Sequence, residues 1–131
     1  MATILQVQQS QHEARVPVTV FELAGELDSS NYEGFQNEMQ QAIEGGARYV
    51  ALDFSQLRYI SSAGLRALFA VAKLLSAKSG TAAGNTSAGS FKSPYLKLLN
   101  PSPAVRQALD VMGFNMSIEI HNNLAGVLAS F

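Results

Sequence analysis

Hydrophobic positions along this chain follow two periods, one typical of β-strands and one typical of α-helices. Residues 3–9 and 17–24 combine alternating apolar positions with β-branched side chains, and the polar segment 10–15 joins them. This pattern predicts an opening β-hairpin. Three further segments have the length of short strands: residues 49–54, 95–99 and 117–120.

Helical spacing marks the longer segments between these strands. The first helix carries one apolar face, formed by Tyr32, Phe35, Met39, Ala42 and Ile43. Ser30 and Glu33 have the spacing of a capping box at its start, and Gly45 with Gly46 marks its end. We therefore predict that this helix packs its apolar face on the sheet.

Two more helices and a short fourth one, at residues 124–130, follow from the same spacing. The second opens after a pair of serines, and its inward stripe consists of Leu65, Leu68, Phe69, Ala72 and Leu75. In the third, Ser102 is the predicted cap, Pro103 takes the first position and Gly113 marks the end. Its predicted inward residues are Val105, Leu109 and Met112.

Strands that alternate with helices predict an α/β fold with a mainly parallel sheet covered by helices. The 131 residues suit a single domain, because two domains of ordinary size would need a longer chain. Residues 79–94 are rich in Gly, Ser, Thr and Ala and have no periodic apolar face. We interpret that segment as a flexible insert in the domain.

Composition narrows the set of partners. Charged residues make up 15% of the chain and the formal net charge is −1, without a basic run of the kind that binds a phosphate backbone. The chain contains no cysteine, no secretory leader pattern and no apolar run long enough to span a membrane. We expect a cytoplasmic protein that binds neither nucleic acid nor cofactor and does not insert into a membrane.

The segment from Asp53 to Leu65 carries the most informative chemistry, because a strand passes through Ser61 and Ser62 into a helix. An anion attached to a serine at that point would meet the positive end of the helix dipole. The site therefore suits a phosphate better than a catalyst. The structural alternative is that Ser62 is only an N-cap.

Other positions in and before this segment have both a structural and a functional interpretation. Gly25 and Asp28 shape the turn into the first helix or contact a partner. Asp53, at the end of its predicted strand, bonds the serine loop or contacts a partner protein. Gly64 either lets a neighbouring backbone segment approach the helix closely or, together with Leu65, contacts a partner.

Catalysis and metal binding have little support in the sequence. Ser62 lacks the Gly-x-Ser-x-Gly turn of a nucleophile elbow, and the only histidines, His12 and His121, lie far from it in the chain. Two histidines without cysteines or a spaced carboxylate set do not make a metal site. We predict that the protein is not an enzyme and has no catalytic or metal-binding residues.

The chain resembles the STAS domain family, in particular the bacterial anti-sigma factor antagonists. The resemblance rests on Gly25-Glu26-Leu27-Asp28, on the segment from Asp53 to Leu65, and on Ser102-Pro103-Ala104-Val105. It implies a sheet of four or five strands with helices mainly on one face. It also implies a serine that a partner kinase phosphorylates, which corresponds to Ser62, with Ser61 as the next candidate. Family members with this switch often carry Asp before the serine and Ser or Thr after it, whereas this chain has Ser61 and Ala63.

Two functions remain open. In the first, the unmodified protein binds an anti-sigma factor with serine kinase activity and phosphorylation at Ser62 ends the complex, which regulates transcription. In the second, the same surface is a constitutive interaction module in a stress-sensing or transport-associated complex, without phosphorylation. Gly25, Asp28, Asp53, Ser61, Ser62, Gly64 and Leu65 are the predicted partner-binding residues. Association into a homo-oligomer is left open.

Overall fold

The computed structural model describes residues 5–78, 95–113 and 118–131. Within them, five strands form one sheet, and their order in the sheet is their order in the chain. The strands are β1 (Leu5–Glu13), β2 (Pro17–Leu27), β3 (Val50–Ile60), β4 (Leu96–Leu99) and β5 (Glu119–His121). The helices are α1 (Tyr32–Glu44), α2 (Ser62–Lys78), α3 (Pro103–Val111) and α4 (Leu124–Ser130). The predicted insert at 79–94 lies outside the described residues.

The sheet is mixed, with one antiparallel pair and three parallel ones, as the sequence predicts. β1 runs antiparallel to β2, and the pairs β2–β3, β3–β4 and β4–β5 are parallel. Parallel neighbours need a crossover connection, which α1 supplies between β2 and β3 and α3 between β4 and β5. The carboxyl ends of β2 and β3 therefore lie side by side, where Leu27 pairs with Ile60.

Alternation along the strands gives the sheet two different faces. In β2, Phe21 and Leu23 contribute to the main core together with buried residues of α1, α2 and α3. Val18 and Val20 belong to a smaller cluster, in which Val127 of α4 covers the opposite face. Three helices thus pack on one face and the short α4 covers part of the other, which confirms the predicted arrangement.

Lys97 anchors α4 although its side chain is only 3% exposed. Its Nζ donates to the backbone carbonyl of Ser130 at 2.7 Å and to the hydroxyl of that serine at 3.0 Å. The same ammonium lies 3.4 Å from a carboxylate oxygen of Glu119 and 4.7 Å from the centre of the Phe131 ring. This buried ammonium is therefore surrounded by acceptors and an aromatic ring, as a buried charge requires.

Local sequence patterns are confirmed at several helix ends. Ser102 is the N-cap of α3 and its hydroxyl accepts the N–H of Val105, with Pro103 as the first helical residue. Gly45 ends α1, and Gly46 follows with a φ of 121°, a conformation that glycine adopts without strain. Gly113 follows α3 with a φ of 77°.

The predicted capping box of α1 is wrong. The N-cap is Asn31, and no side chain caps the helix there. The Ser30 hydroxyl instead donates to Asp28 Oδ1 at 2.6 Å. The side chain of Asn31 accepts the N–H of Asp28 and donates to the carbonyl of Glu26. A capping box would need the Ser30 hydroxyl as an acceptor for a helix N–H, but this hydroxyl is bound to the carboxylate of Asp28. Glu33 is exposed in the first turn of α1.

The prediction that Phe69 and Met112 face the core is also wrong. Phe69 is 48% exposed and Met112 is 54% exposed. Leu68 is fully buried. Consecutive residues of a helix are rotated by about 100° around its axis, so the Phe69 side chain points away from the face that Leu68 packs on the sheet. Met112 is the C-cap of α3 and lies beyond Leu109, the last buried residue of that helix.

Strand lengths differ most from the sequence prediction. β3 continues to Ile60, six residues beyond the predicted end, because its second half pairs with the second half of β2. β1 likewise runs to Glu13, through residues that the sequence predicts to connect two strands. In both cases a neighbouring strand satisfies the backbone of a polar segment, and the sequence of that segment alone does not show this.

Candidate functional site

The candidate site is the junction between β3 and α2. The backbone N–H of Ser61 donates to the carbonyl of Leu27 at 2.9 Å, so that β2 holds the chain where β3 ends. The carbonyl of Ser61 then accepts the N–H of Leu65 at 2.9 Å, which is the first turn of α2. Consequently the position of the serine pair is fixed by the sheet on one side and by the helix on the other.

The two serines have different structural roles. The hydroxyl of Ser61 accepts the N–H of Gly64 at 3.3 Å, and the residue is partly buried. Ser61 is therefore the N-cap of α2, and the alternative that assigns the cap to Ser62 is wrong. Ser62 is the first helical residue and is exposed, and its hydroxyl has no hydrogen-bond partner among the described residues.

Gly64 is where the helix comes closest to the sheet. A Cβ at this position would lie 2.9 Å from the carbonyl oxygen of Leu27 and 2.9 Å from side-chain carbons of both Leu27 and Ile60. Ordinary van der Waals contact begins near 3.4 Å, so that no side chain fits here unless its neighbours shift. Gly64 therefore sets the distance between α2 and the end of β2.

A shallow depression of about 370 Å³ adjoins Ser62. One wall is formed by the end of β3 and the start of α2, and the other by α3. The lining residues are Tyr59, Ile60, Ser61, Ser62, Leu65, Ala104, Gln107, Ala108, Val111 and Met112. None of these lining residues carries a charge, so an added anion would change the electrostatic character of the depression completely.

Large apolar side chains are exposed around this depression. Tyr59 is 52% exposed, Val111 is 76% exposed and Met112 is 54% exposed. Sequence patterns do not identify this cluster, because they place Tyr59 in a loop and Met112 in the core. Exposed apolar side chains that cluster in one place, rather than singly, are typical of a surface that binds another protein. We call Tyr59, Val111 and Met112 together with Ser62 the serine surface.

Asp28 lies close to this junction, because it follows Leu27 directly. Its side-chain oxygen accepts the N–H of Ser30 at 2.9 Å, and its carbonyl accepts the N–H of Tyr32 at 2.9 Å. Asp28 thus shapes the turn into α1, as the structural interpretation of this residue predicts. A partner contact by Asp28 stays a prediction.

The structure places Gly25 and Asp53 away from the serine surface. Gly25 lies within β2 with a φ of 111°, beside a register shift of the β2–β3 pair, and it lines a separate depression with Arg58 and Ser102. Asp53 lies in the middle of β3 rather than at its end, and its carboxylate accepts the N–H of Ser55 at 2.9 Å. Leu65 is 3% exposed and belongs mainly to the core. Their roles in partner binding remain predictions.

Neither histidine takes part in the site. His12 contacts the Ser10 hydroxyl in β1, and His121 contacts Glu119 in β5. Across the described ranges, no three acidic, histidine or cysteine side chains are grouped so that they could hold a metal ion. In the same ranges, no helix combines the length and apolar character that a membrane span requires.

An accessible serine beside clustered exposed apolar side chains is typical of a surface that binds another protein. The model of the STAS domain family matches residues 9–83, more than half of the chain. The chain therefore belongs to the STAS domain family. BtrV of Bordetella bronchiseptica, which carries the name of a putative anti-sigma factor antagonist, is 32% identical over 109 residues, covering 83% of this chain and 82% of that protein.

Solved structures show the same fold. An anti-sigma factor antagonist from Mycobacterium paratuberculosis matches with a TM-score of 0.71 at 15% identity, over 97% of this chain and 93% of that one. The anti-sigma factor antagonist SpoIIAA in its unphosphorylated form matches with a TM-score of 0.67 at 23% identity, over 95% and 93%. The phosphorylated form of SpoIIAA, from Bacillus, matches with a TM-score of 0.61 at 20% identity, over 93% and 96%. The STAS anti-sigma factor antagonists are non-enzymatic regulatory binding proteins, which agrees with the prediction that this chain is not an enzyme.

Proposed function

We propose that this protein is a cytoplasmic anti-sigma factor antagonist that binds an anti-sigma factor with serine kinase activity through the serine surface. Phosphorylation of Ser62 by that partner ends the complex. The unmodified protein removes the anti-sigma factor from its sigma factor and so permits transcription. The observation that carries the proposal is the exposed hydroxyl of Ser62 at the first position of α2, beside exposed apolar side chains.

Accessibility selects Ser62 over Ser61. A kinase must reach the hydroxyl with the γ-phosphate of ATP, and the hydroxyl of Ser61 is occupied by the N–H of Gly64 in a partly buried position. Phosphorylation of Ser61 would cost the cap of α2, whereas phosphorylation of Ser62 leaves that hydrogen bond intact. The first helical N–H groups, which have no intrahelical partner, can then stabilise the phosphate.

The neutral lining explains why one phosphate would be sufficient to end binding. A phosphoryl group adds about −1.5 to −2 charges and three strong acceptors. A partner that covers Tyr59, Val111 and Met112 would have to remove water from this charge. A desolvation cost of even ~3 kcal/mol lowers affinity about a hundredfold.

Similar proteins support this proposal at two levels. BtrV, a relative with 32% sequence identity, carries the name of a putative anti-sigma factor antagonist. SpoIIAA, with a similar fold, exists in unphosphorylated and phosphorylated forms. Because both forms of SpoIIAA share the fold of this chain, phosphorylation is compatible with that fold.

The alternative is a constitutive interaction module that uses the same surface without phosphorylation. It is favoured by the residues beside Ser62, since Ser61 and Ala63 stand where family members with the switch often have Asp and then Ser or Thr. The two functions differ in one measurable event, the labelling of a serine.

The test compares four forms of the protein: unmodified, phosphorylated, Ser62→Ala and Ser62→Asp. The cognate anti-sigma factor with ATP should label Ser62, as located by fragmentation in a mass spectrometer. Calorimetry should give tight binding for the unmodified form and for Ser62→Ala, and at least about tenfold weaker binding for the phosphorylated form. Ser62→Asp should have an intermediate affinity, because it adds one charge and fewer acceptors than phosphate.

Two further substitutions test whether an added charge weakens binding only when it lies on the serine surface. Val111→Asp should weaken binding because it places a charge among the apolar contacts, whereas Gln41→Asp, at an exposed position on α1, should not. Equal affinity of the phosphorylated and unmodified forms would contradict the switch. Labelling at Ser61 would move the site by one residue, and binding without labelling would favour the constitutive module.

A further inference from the structure

We infer that the free edge of β1 is a self-association surface, at which β1 of a second copy adds antiparallel with Gln9 opposite Gln9. This inference concerns a surface outside the serine surface and does not depend on the proposed function. Its basis is the combination of an open strand edge within the described residues, a strand that lacks the features that block pairing, and a sequence that opposes no like charges when it pairs with itself.

The edge is long and regular. β1 has nine residues, and within the described part of the chain β2 is its only strand partner. Every β1 residue from Leu5 to Glu13 pairs in one unbroken register, without the shifts that interrupt the β2–β3 pair. Alternate residues therefore direct their N–H and C=O groups away from the sheet along the whole strand.

The sequence does not protect this edge in the usual ways. Exposed edge strands are commonly short or bulged, or they carry proline or charged side chains that prevent pairing with another chain. From Leu5 to His12, β1 contains no proline and no Asp, Glu, Lys or Arg, and Glu13 is the only carboxylate in the strand. At nine residues, it also exceeds the usual strand length of about five to six.

The strand can pair with a second copy of itself without opposing like charges. In an antiparallel pair centred on Gln9, no two like charges lie opposite each other, and the middle of the strand brings amide and hydroxyl side chains together. The pairs are Leu5 with Glu13, Gln6 with His12, Val7 with Gln11, Gln8 with Ser10, and Gln9 with Gln9. Neutral amide and hydroxyl side chains that face each other across strands can form hydrogen bonds. A two-fold axis through Gln9 satisfies the closed symmetry that most dimers have.

Such a dimer leaves both serine surfaces accessible. It joins two five-stranded sheets into one continuous sheet, with the new strand beside β1. Between that strand and β3, which leads to Ser62, lie β1 and β2, so the separation is about 14 Å at the usual strand spacing. The two-fold axis directs the two serine surfaces to opposite ends of the joined sheet, and the dimer would thus be bivalent for its partner.

The test uses the exposed position on the axis. In the full chain, sedimentation velocity over a concentration series should show a monomer–dimer equilibrium. Gln9→Lys and Gln9→Glu should each weaken dimerisation at least about tenfold, because each places two like charges opposite each other. An equimolar mixture of the two variants should restore the dimer. Gln41→Lys, the same change at an exposed position on α1, should have no effect.

Several outcomes would overturn the inference. These are a monomer at every concentration up to about 1 mM, a dimer that Gln9→Lys and Gln9→Glu leave unchanged, and a mixture of the variants that stays monomeric. Hydrogen exchange provides an independent readout, since the outward amides of β1 should exchange more slowly as the concentration rises. Outward amides that are already protected in the monomer would show that another segment of the chain covers the edge.

Discussion

The carbonyl oxygen of Leu27 accepts the backbone N–H of Ser61, and this hydrogen bond joins the end of β2 to the residue that caps α2. The same oxygen lies 2.9 Å from the position that a Cβ on Gly64 would occupy. One strand end therefore fixes the cap and limits the size of the third helical residue. Through this contact the position of Ser62 depends on the sheet and not only on its helix.

Gly64→Ala should destabilise the protein. The added methyl group would contact the backbone oxygen of Leu27, which cannot move without disturbing the bond to Ser61, and overpacking of this kind costs about 1 to 3 kcal/mol. Gly34→Ala is the matched control, because Gly34 lies in α1 and a methyl group added there would have nothing within 4 Å. There the substitution should stabilise by about 0.5 to 1 kcal/mol. Urea denaturation of both variants checks the prediction, and equal midpoints would contradict it.

The two serines should differ in their effect on stability. Ser61→Ala removes the acceptor for the N–H of Gly64 and should lower the free energy of unfolding by about 0.5 to 2 kcal/mol. Ser62→Ala removes an exposed hydroxyl and should change it by about 0.5 kcal/mol or less. Chemical denaturation of the two variants separates the cap from the modification site. A larger loss for Ser62→Ala would show that Ser62 is the cap.

Leu68 and Phe69 test which face of α2 packs on the sheet. Leu68 is fully buried, and Leu68→Ala should destabilise by about 2 to 5 kcal/mol because it leaves a cavity in the main core. Phe69 is 48% exposed, and Phe69→Ala should cost about 1 kcal/mol or less. Denaturant midpoints at constant m-value measure both effects. Similar losses for the two variants would mean that the helix is rotated relative to the structure described.

Glu119 should make stability depend on pH in the acidic range. Burial raises the pKa of Glu119, but the hydrogen bond from His121 and the charge of Lys97 outweigh it and hold the pKa below its ordinary value of 4.5. Because the folded pKa lies below the unfolded one, the stabilisation is fully present above pH 4.5 and is lost as the pH falls through the folded pKa.

The corresponding experiment compares the protein with Glu119→Gln. The difference in free energy of unfolding between the two proteins should be larger at pH 7 than at an acidic pH well below 4.5, because protonation removes the carboxylate charge. The variant keeps the partners Lys97 and His121 and replaces only the carboxylate. A difference that is the same at both pH values would contradict a lowered pKa for Glu119.

The amino-acid sequence determined those elements whose side chains fix the local backbone. Apolar spacing located all four described helices, and Ser102 with Pro103 located the start of α3 because a hydroxyl acceptor and a fixed φ act on adjacent residues. Alternation of strands and helices indicated the largely parallel sheet. The motifs around Gly25, Ser62 and Ser102 were sufficient to indicate the STAS family.

Tertiary structure decided the features that depend on a neighbour distant in the chain. β3 extends to Ile60 because β2 pairs with it, and Ser61 rather than Ser62 caps α2 because Leu27 holds the backbone of Ser61 at the end of the sheet. Met112 belongs to the serine surface because α3 extends beyond the core. Helical spacing shows which side chains share a face, but the neighbouring elements decide where that face is covered.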